Sequence, residues 1–207
     1  AVRPVHTKNN MTSDLWTPPS GTRGLIFDCD GTLADTMPVH YVAWTAMLGR
    51  HGIPFPETRF YELGGVPTAQ IIRILSQEHG VPVADVDAMV QEKETAFLAN
   101  MHAVKPLPKV IAVAERYRGR LPIAVASGGY RETVTRTLEA LAIREWFQAT
   151  VTAEDTERHK PEPDVFLEAA RRLGVPPESC VVFEDTDIGL LAARRAGMVG
   201  VDVRTDW

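Results

Sequence analysis

The spacing of hydrophobic positions changes twice along this chain. Leu25, Ile26 and Phe27 form an unbroken apolar run between Gly24 and Asp28, the pattern of a short strand buried on both faces. From Met37 the apolar residues instead recur at steps of three and four, as on one face of a helix. Three helices are predicted there: "MPVHYVAWTAMLGRHGI" (37–53), closed by Gly52; "PTAQIIRILSQEHG", stopped by Gly80; and a third from about Ala84 to Met101. No convincing strand separates them. From Leu107 onward strands and helices alternate. Helices are predicted at "KVIAVAERYRG", "RETVTRTLEALAI", "PDVFLEAARRLGV" and "IGLLAARRAG"; strands are predicted at "LPIAVAS", residues 149–152, "CVVFED" and "VGVDV". Such alternation gives a parallel sheet covered by helices on both faces. The expected fold is therefore α/β: a Rossmann-like core of five parallel strands, built from residues 23–37 and 105–207. A helical cap, residues 38–104, is inserted after the first strand.

Composition narrows the partners. The chain has 207 residues, 44% of them hydrophobic, and a net charge of −5. That balance suits a soluble globular protein and lacks the basic surplus of a nucleic-acid binder. No apolar run approaches the roughly 18 residues of a membrane span. Two distant cysteines, Cys29 and Cys180, make no disulfide framework, and a reducing cytoplasm is the expected setting. Residues 1–22, rich in Pro, Ser, Thr and Asn without apolar periodicity, read as a flexible or loosely docked tail. The acidic stretch "TAEDTE" (152–157) reads as solvated surface.

In an open parallel sheet, ligands bind beyond the carboxyl ends of the strands. There the sequence places Asp28 and Asp30 after the first strand, Ser127-Gly128-Gly129 after "PIAVA", Lys160 before "PEPDVF", and Glu184-Asp185 after "VVF". Each alone is unremarked: a turn, a cap, a solvated lysine. Together they crowd carboxylates, which repel unless a cation joins them. Hard carboxylate oxygens suit Mg²⁺, which keeps room for water and phosphate oxygens. Ser127 and the amides near Gly128 suit phosphate oxygens, and Lys160 suits their charge. Of two aspartates at i and i+2, one attacks phosphorus and the other gives a proton to the leaving alcohol.

The strings "FDCDGTLADT", "ASGG", "KPEPDVF" and "VVFEDTDIG" resemble, in that order, the four motifs of the haloacid dehalogenase superfamily. The helical insertion resembles the cap of its phosphatase and β-phosphoglucomutase branch, and the longer motifs look most like bacterial sugar-phosphate phosphatases, including those acting on fructose 1-phosphate. The resemblance implies Asp28 as nucleophile and Asp30 as acid/base. It implies Mg²⁺ held by Asp28, the Asp30 carbonyl and Asp185, with Glu184 as ligand or neighbour, and phosphoryl oxygens held by Ser127 and Lys160. The dehalogenases of the superfamily lack the second aspartate. Cys29 fills a variable position and reads as a packed side chain.

The cap should choose the substrate. In β-phosphoglucomutase a Gly-Val cap loop, with Arg two positions later, grips a second phosphate. The similar loop here, "GGVPT", includes Gly65 and Val66 and carries the uncharged Thr68 in place of that Arg. Lys93 or Arg131 could substitute. A phosphatase is expected over a mutase, and a non-catalytic phosphate-sensing module is the third reading. His40 and Trp44 share one helix face, which reads either as a packing Trp with a nearby polar His or, as the resemblance to the family pattern D-T-x-x-x-H implies, as a placement of His40 near Asp30; Thr36 stands at the hinge into the cap. The implied partner is a small phosphorylated metabolite, taken up by a monomer or weak dimer.

Overall fold

The computed structural model describes residues 16–205. Residues 1–15 of the expected tail lie outside that range. From Trp16 the chain is already seated on the core: its ring meets Phe183 edge-on at 4.7 Å between centres, and the Arg23 amide donates to the Ser179 carbonyl at 2.8 Å. A polar, proline-rich composition concealed an aromatic that packs on this face of the sheet.

The core is a five-stranded parallel sheet. Gly24–Phe27 (β1) lies at its centre, between Ile123–Ala126 (β4) and Cys180–Glu184 (β6). Ala149–Val151 (β5) extends the sheet beyond β4, and Val199–Asp202 (β7) extends it beyond β6. Alternate side chains leave opposite faces of a strand. Leu25 and Phe27 therefore pack with Val113 of Pro108–Tyr117 (α5) and Val134 of Arg131–Ala140 (α6). Ile26 faces the other way, toward Phe166 of Asp164–Leu173 (α7) and Ala192 of Asp187–Arg195 (α8). Of the predicted buried face of α7, Val165, Phe166, Ala169 and Ala170 are fully packed and Leu173 is half-buried. Because β4 and β5 are laid down on one side of β1 and β6 and β7 then on the other, the strand order reverses at β1 and a crevice opens at its carboxyl end.

The inserted unit comprises Met37–Arg50 (α1), Glu57–Glu62 (α2), Thr68–His79 (α3) and Val86–Ala99 (α4). It has its own apolar centre, with Trp44, Met47, Phe60, Ile72, Leu75 and Val90 among its members. The helix α2 was not among those predicted; six residues are too few to show a period. Two further short strands also escaped the pattern. Ala34–Asp35 (β2) pairs antiparallel with Lys105–Pro106 (β3), so the chain enters and leaves the cap side by side. Both cysteines are free and buried. Among the described residues no helix is long and apolar enough to cross a membrane.

Candidate active site

Asp28 is the first residue beyond β1, and its amide continues the ladder to the Phe183 carbonyl at 3.0 Å. Lys160, on the loop between β5 and α7, reaches it from the side. Its Nζ donates to Asp28 Oδ1 and to Glu184 Oε2, at 2.7 Å each. The other Glu184 oxygen, Oε1, accepts from the Thr186 hydroxyl at 2.7 Å and amide at 3.0 Å, and from the Asp185 amide at 3.2 Å. Two glycines make this crowding feasible. At Gly189, in the first turn of α8, a Cβ would stand 2.1 Å from the Glu184 carboxyl carbon. Gly31, at φ +77°, brings backbone so near Asp185 that a Cβ would stand 2.2 Å from its Oδ2. Thr32 then donates its hydroxyl to Asp185 Oδ1 at 3.2 Å.

Asp28, Glu184 and Asp185 each offer an oxygen, all within 4.8 Å of one another. Like charges at that separation repel by about 3–4 kcal/mol per pair at an effective dielectric of 20. Burial raises the Asp28 carboxyl well above its ordinary range; Lys160 works against the rise, and Glu184, Asp185 and Asp30 add to it. Asp185 is pushed up to about 7, by burial and then by Glu184. Burial pulls the Lys160 ammonium down, but Asp28 and Glu184 outweigh it and hold it charged. Three carboxylates and one ammonium leave two negative charges unbalanced, the charge of one divalent cation. The all-oxygen donor set fits a hard metal ion.

Asp30 faces away from this cluster, toward the cap. Its Oδ1 accepts from the Thr36 hydroxyl at 2.7 Å and lies 3.3 Å from His40 Nε2. Lys93, on α4, sits 3.0 Å from His40 Nδ1. An ammonium only donates, so Nδ1 accepts, and the proton of the neutral ring lies on Nε2, directed at Asp30. The His40 ring is fixed by stacking on Phe97 at 4.0 Å. Burial would raise the Asp30 carboxyl, but His40, Thr36 and Lys93 together hold it down at about 2. Burial and then Lys93 lower the His40 ring below its ordinary value, against the pull of Asp30. Across the crevice, buried Ser127 accepts from the Gly129 amide at 3.0 Å, and Asp30 Oδ2 lies where a Cβ on Gly129 would meet it at 3.4 Å.

The cleft between core and cap thus joins most of the predicted residues. Asp28, Asp30, Ser127, Gly128, Lys160, Glu184 and Asp185 line its core side; His40, Trp44, Gly65, Val66 and Thr68 line its cap side. Thr36 stands behind Asp30. Arg131 is absent from the lining: its guanidinium donates to Asp155 at 3.0 Å, and it is no distal cation for the site. Nor is "TAEDTE" merely solvated, since Asp155 accepts from Thr152, Arg131 and Arg172. Sequence reasoning missed Thr32, Thr133, Thr186 and Glu94. For Glu94 a signal existed. Lys93 and Glu94 lie one turn from both Val90 and Phe97, so two charges fall on the apolar face of α4.

A family model described as haloacid dehalogenase-like hydrolase matches residues 22–197. The chain belongs to the haloacid dehalogenase-like hydrolases. Among hydrolases of this family it is 42% identical over 184 residues to the fructose-1-phosphate phosphatase YqaB of Escherichia coli strain K12, covering 87% of this chain and 96% of that one. It is 29% identical over 189 residues to the β-phosphoglucomutase of Bacillus subtilis strain 168, covering 87% and 83%. A crystal structure of a hydrolase from Pseudomonas syringae superposes with a TM-score of 0.79 at 30% identity, covering 87% of this chain and 84% of that one.

Proposed function

We propose that this haloacid dehalogenase-like hydrolase is a Mg²⁺-dependent phosphatase of small sugar phosphates, with fructose 1-phosphate the first candidate. The observation that carries the reading is the division of labour at the end of β1. Asp28 is gripped by Lys160 beside two further carboxylates, whereas Asp30 is turned to Thr36 and His40. One aspartate is set among groups for phosphate and metal, the other among groups that govern a proton. The named activity of the 42% identical relative supports the substrate class.

Asp28 attacks phosphorus in line and forms an aspartyl-phosphate while the sugar hydroxyl departs. Ser127, the Gly128 amide and Lys160 bind the phosphoryl oxygens. Asp28, Asp185 and the Asp30 carbonyl, with Glu184 as ligand or neighbour, would hold Mg²⁺, which would supply the remaining positive charge. His40, Thr36 and Lys93 hold the carboxyl value of Asp30 low. A phosphate dianion arriving beside it raises that value, because like charge favours protonation, and so equips it to protonate the leaving oxygen. Once the sugar leaves, Asp30 takes the proton of the attacking water. The cap, residues 38–104, closes on the paired β2 and β3 and excludes bulk water from the core formed by 23–37 and 105–207.

The test is phosphate release in Mg²⁺ across a panel of sugar phosphates, with glucose 6-phosphate formation from β-glucose 1-phosphate followed in parallel. Free phosphate without isomerised product is expected. Replacement of Asp28 by Asn should lower turnover roughly 10⁴-fold. Unchanged turnover in that variant, or isomerised product outrunning phosphate, would sink the reading.

A further inference from the structure

The cap contributes one ammonium to the cleft among the described residues, that of Lys93, and it is fully engaged by protein groups. Lys93 is 3% exposed. Its Nζ donates to Glu94 Oε1 at 2.9 Å and to His40 Nδ1 at 3.0 Å, and it lies 5.6 Å and 5.5 Å from the ring centres of Trp44 and Phe97. Two donors are spent on named acceptors and the rest faces aromatic rings. Glu94, also buried, uses its second oxygen to accept from the Thr133 hydroxyl at 2.7 Å. Since Thr133 belongs to α6 of the core, this bond crosses from cap to core, and Lys93, Glu94 and Thr133 all line the cleft.

Resting on the phosphatase reading above, we infer that Glu94 sets the substrate class of this site: it neutralises Lys93 and makes the cap end of the cleft select neutral hydroxyl groups over a second phosphoryl group. A distal dianion needs an uncommitted cation to replace its water. Here it meets a buried ion pair whose negative member has no surplus positive partner. No lining residue repairs this, because Thr68 is uncharged and Arg131 is held elsewhere by Asp155. Specificity of this kind comes from an element that repels the wrong ligand as much as from one that attracts the right one. A sugar hydroxyl, by contrast, can donate to Glu94 without bringing charge. Glu94 acts here as a specificity-determining residue, and Lys93, held by Glu94, also polarises His40 and, through it, Asp30.

The experiment compares fructose 1-phosphate with fructose 1,6-bisphosphate, and β-glucose 1-phosphate with its 1,6-bisphosphate, in Mg²⁺. Wild type should favour each monophosphate in kcat/KM. Substitution of Glu94 by Gln frees Lys93 and should raise the bisphosphate-to-monophosphate ratio by about tenfold or more, chiefly through a lower KM for the bisphosphate. Lys93→Met, which leaves Glu94 alone, should move the ratio the other way, so a poorly folding Glu94 variant does not end the test. Thr133→Val removes a hydrogen bond and no charge, and should leave the ratio in place. A wild type preferring bisphosphates, or a Glu94→Gln variant slowed equally on both, overturns the inference. Thermal shift with the same four compounds separates the two readings. Absence of turnover removes the phosphatase, while stabilisation by monophosphates over bisphosphates, reversed in Glu94→Gln, is still required of Glu94.

Discussion

At the scale of single residues, the site is governed by who holds which carboxylate. Thr36 and His40 both address Oδ1 of Asp30. A hydrogen bond to a charged group contributes about 1.5–3 kcal/mol. Thr36→Val should therefore lower kcat/KM by about ten- to hundredfold and also lower the melting temperature by several degrees; a loss in kcat/KM below threefold would show that Asp30 needs no such support. Lys160 is different, because it is buried between Asp28 and Glu184. Removing one partner of a buried ion pair typically costs 3–5 kcal/mol. Lys160→Met should destabilise by about that amount in EDTA, as read by urea unfolding, and Mg²⁺ should recover part of the loss. If stability falls by less than 1 kcal/mol, the Lys160 bridge is not what compensates these carboxylates.

At the scale of elements, the loop carrying Lys160 is held at its start by Asp155. Its Oδ2 accepts from the Thr152 amide and hydroxyl at 2.8 and 2.9 Å, and its Oδ1 from Arg131 and Arg172 at 3.0 and 2.7 Å. Burial raises this carboxyl, but the arginines and Thr152 outweigh it and hold it far below its ordinary range. Its folded value thus lies below the unfolded one, so the stabilisation is complete above about pH 4 and is lost as pH falls through the folded value. Asp155→Asn should cost about 2 kcal/mol at pH 7. Its difference from wild type in urea unfolding should shrink steadily between pH 4 and pH 2; a difference flat across that range would remove Asp155 as the organiser of the loop. This element also shows how far the sequence carries. The five strands and the helices beside them were legible because apolar runs and periods extend over three to ten residues. The carboxylates at the strand ends were legible because parallel topology sends all those ends to one edge. By contrast β2 and β3, at two residues each, have no pattern to read, and their pairing depends on where the cap returns the chain. The Asp155 network joins distant segments, and its charged residues have the same composition as solvated surface; of the Lys93–Glu94–Thr133 bridge, only the two charges on the apolar face of α4 carried a signal. Thr32 and Thr186 were hidden for another reason: a threonine in a turn looks like a cap until the carboxylate it serves is placed beside it.

At the scale of the whole molecule, the apolar layers of core and cap enclose a seam whose own charges do not balance. Without metal, the fold must tolerate Asp28, Glu184 and Asp185 together against Lys160. The consequence for stability has a definite sign. Asp185 titrates at about 7 in the folded chain, above the roughly 3.9 of an unfolded aspartate, so the native state binds more protons. Stability of the metal-free protein therefore falls, on account of this group, as pH rises from about 4 to 7, and the penalty is complete above 7. Mg²⁺ competes with that proton. At a hundred times its dissociation constant it stabilises by about 2.7 kcal/mol, which for a chain of this size is a rise in melting temperature of about 5–10 °C. The rise over an EDTA control should be larger at pH 8 than at pH 6, and Asp185→Asn should abolish most of it. An equal rise at both pH values would mean that the cation binds elsewhere. No rise at pH 8 in millimolar Mg²⁺ would mean that the three carboxylates share protons instead of a metal ion, and the charge balance drawn for this seam would be wrong.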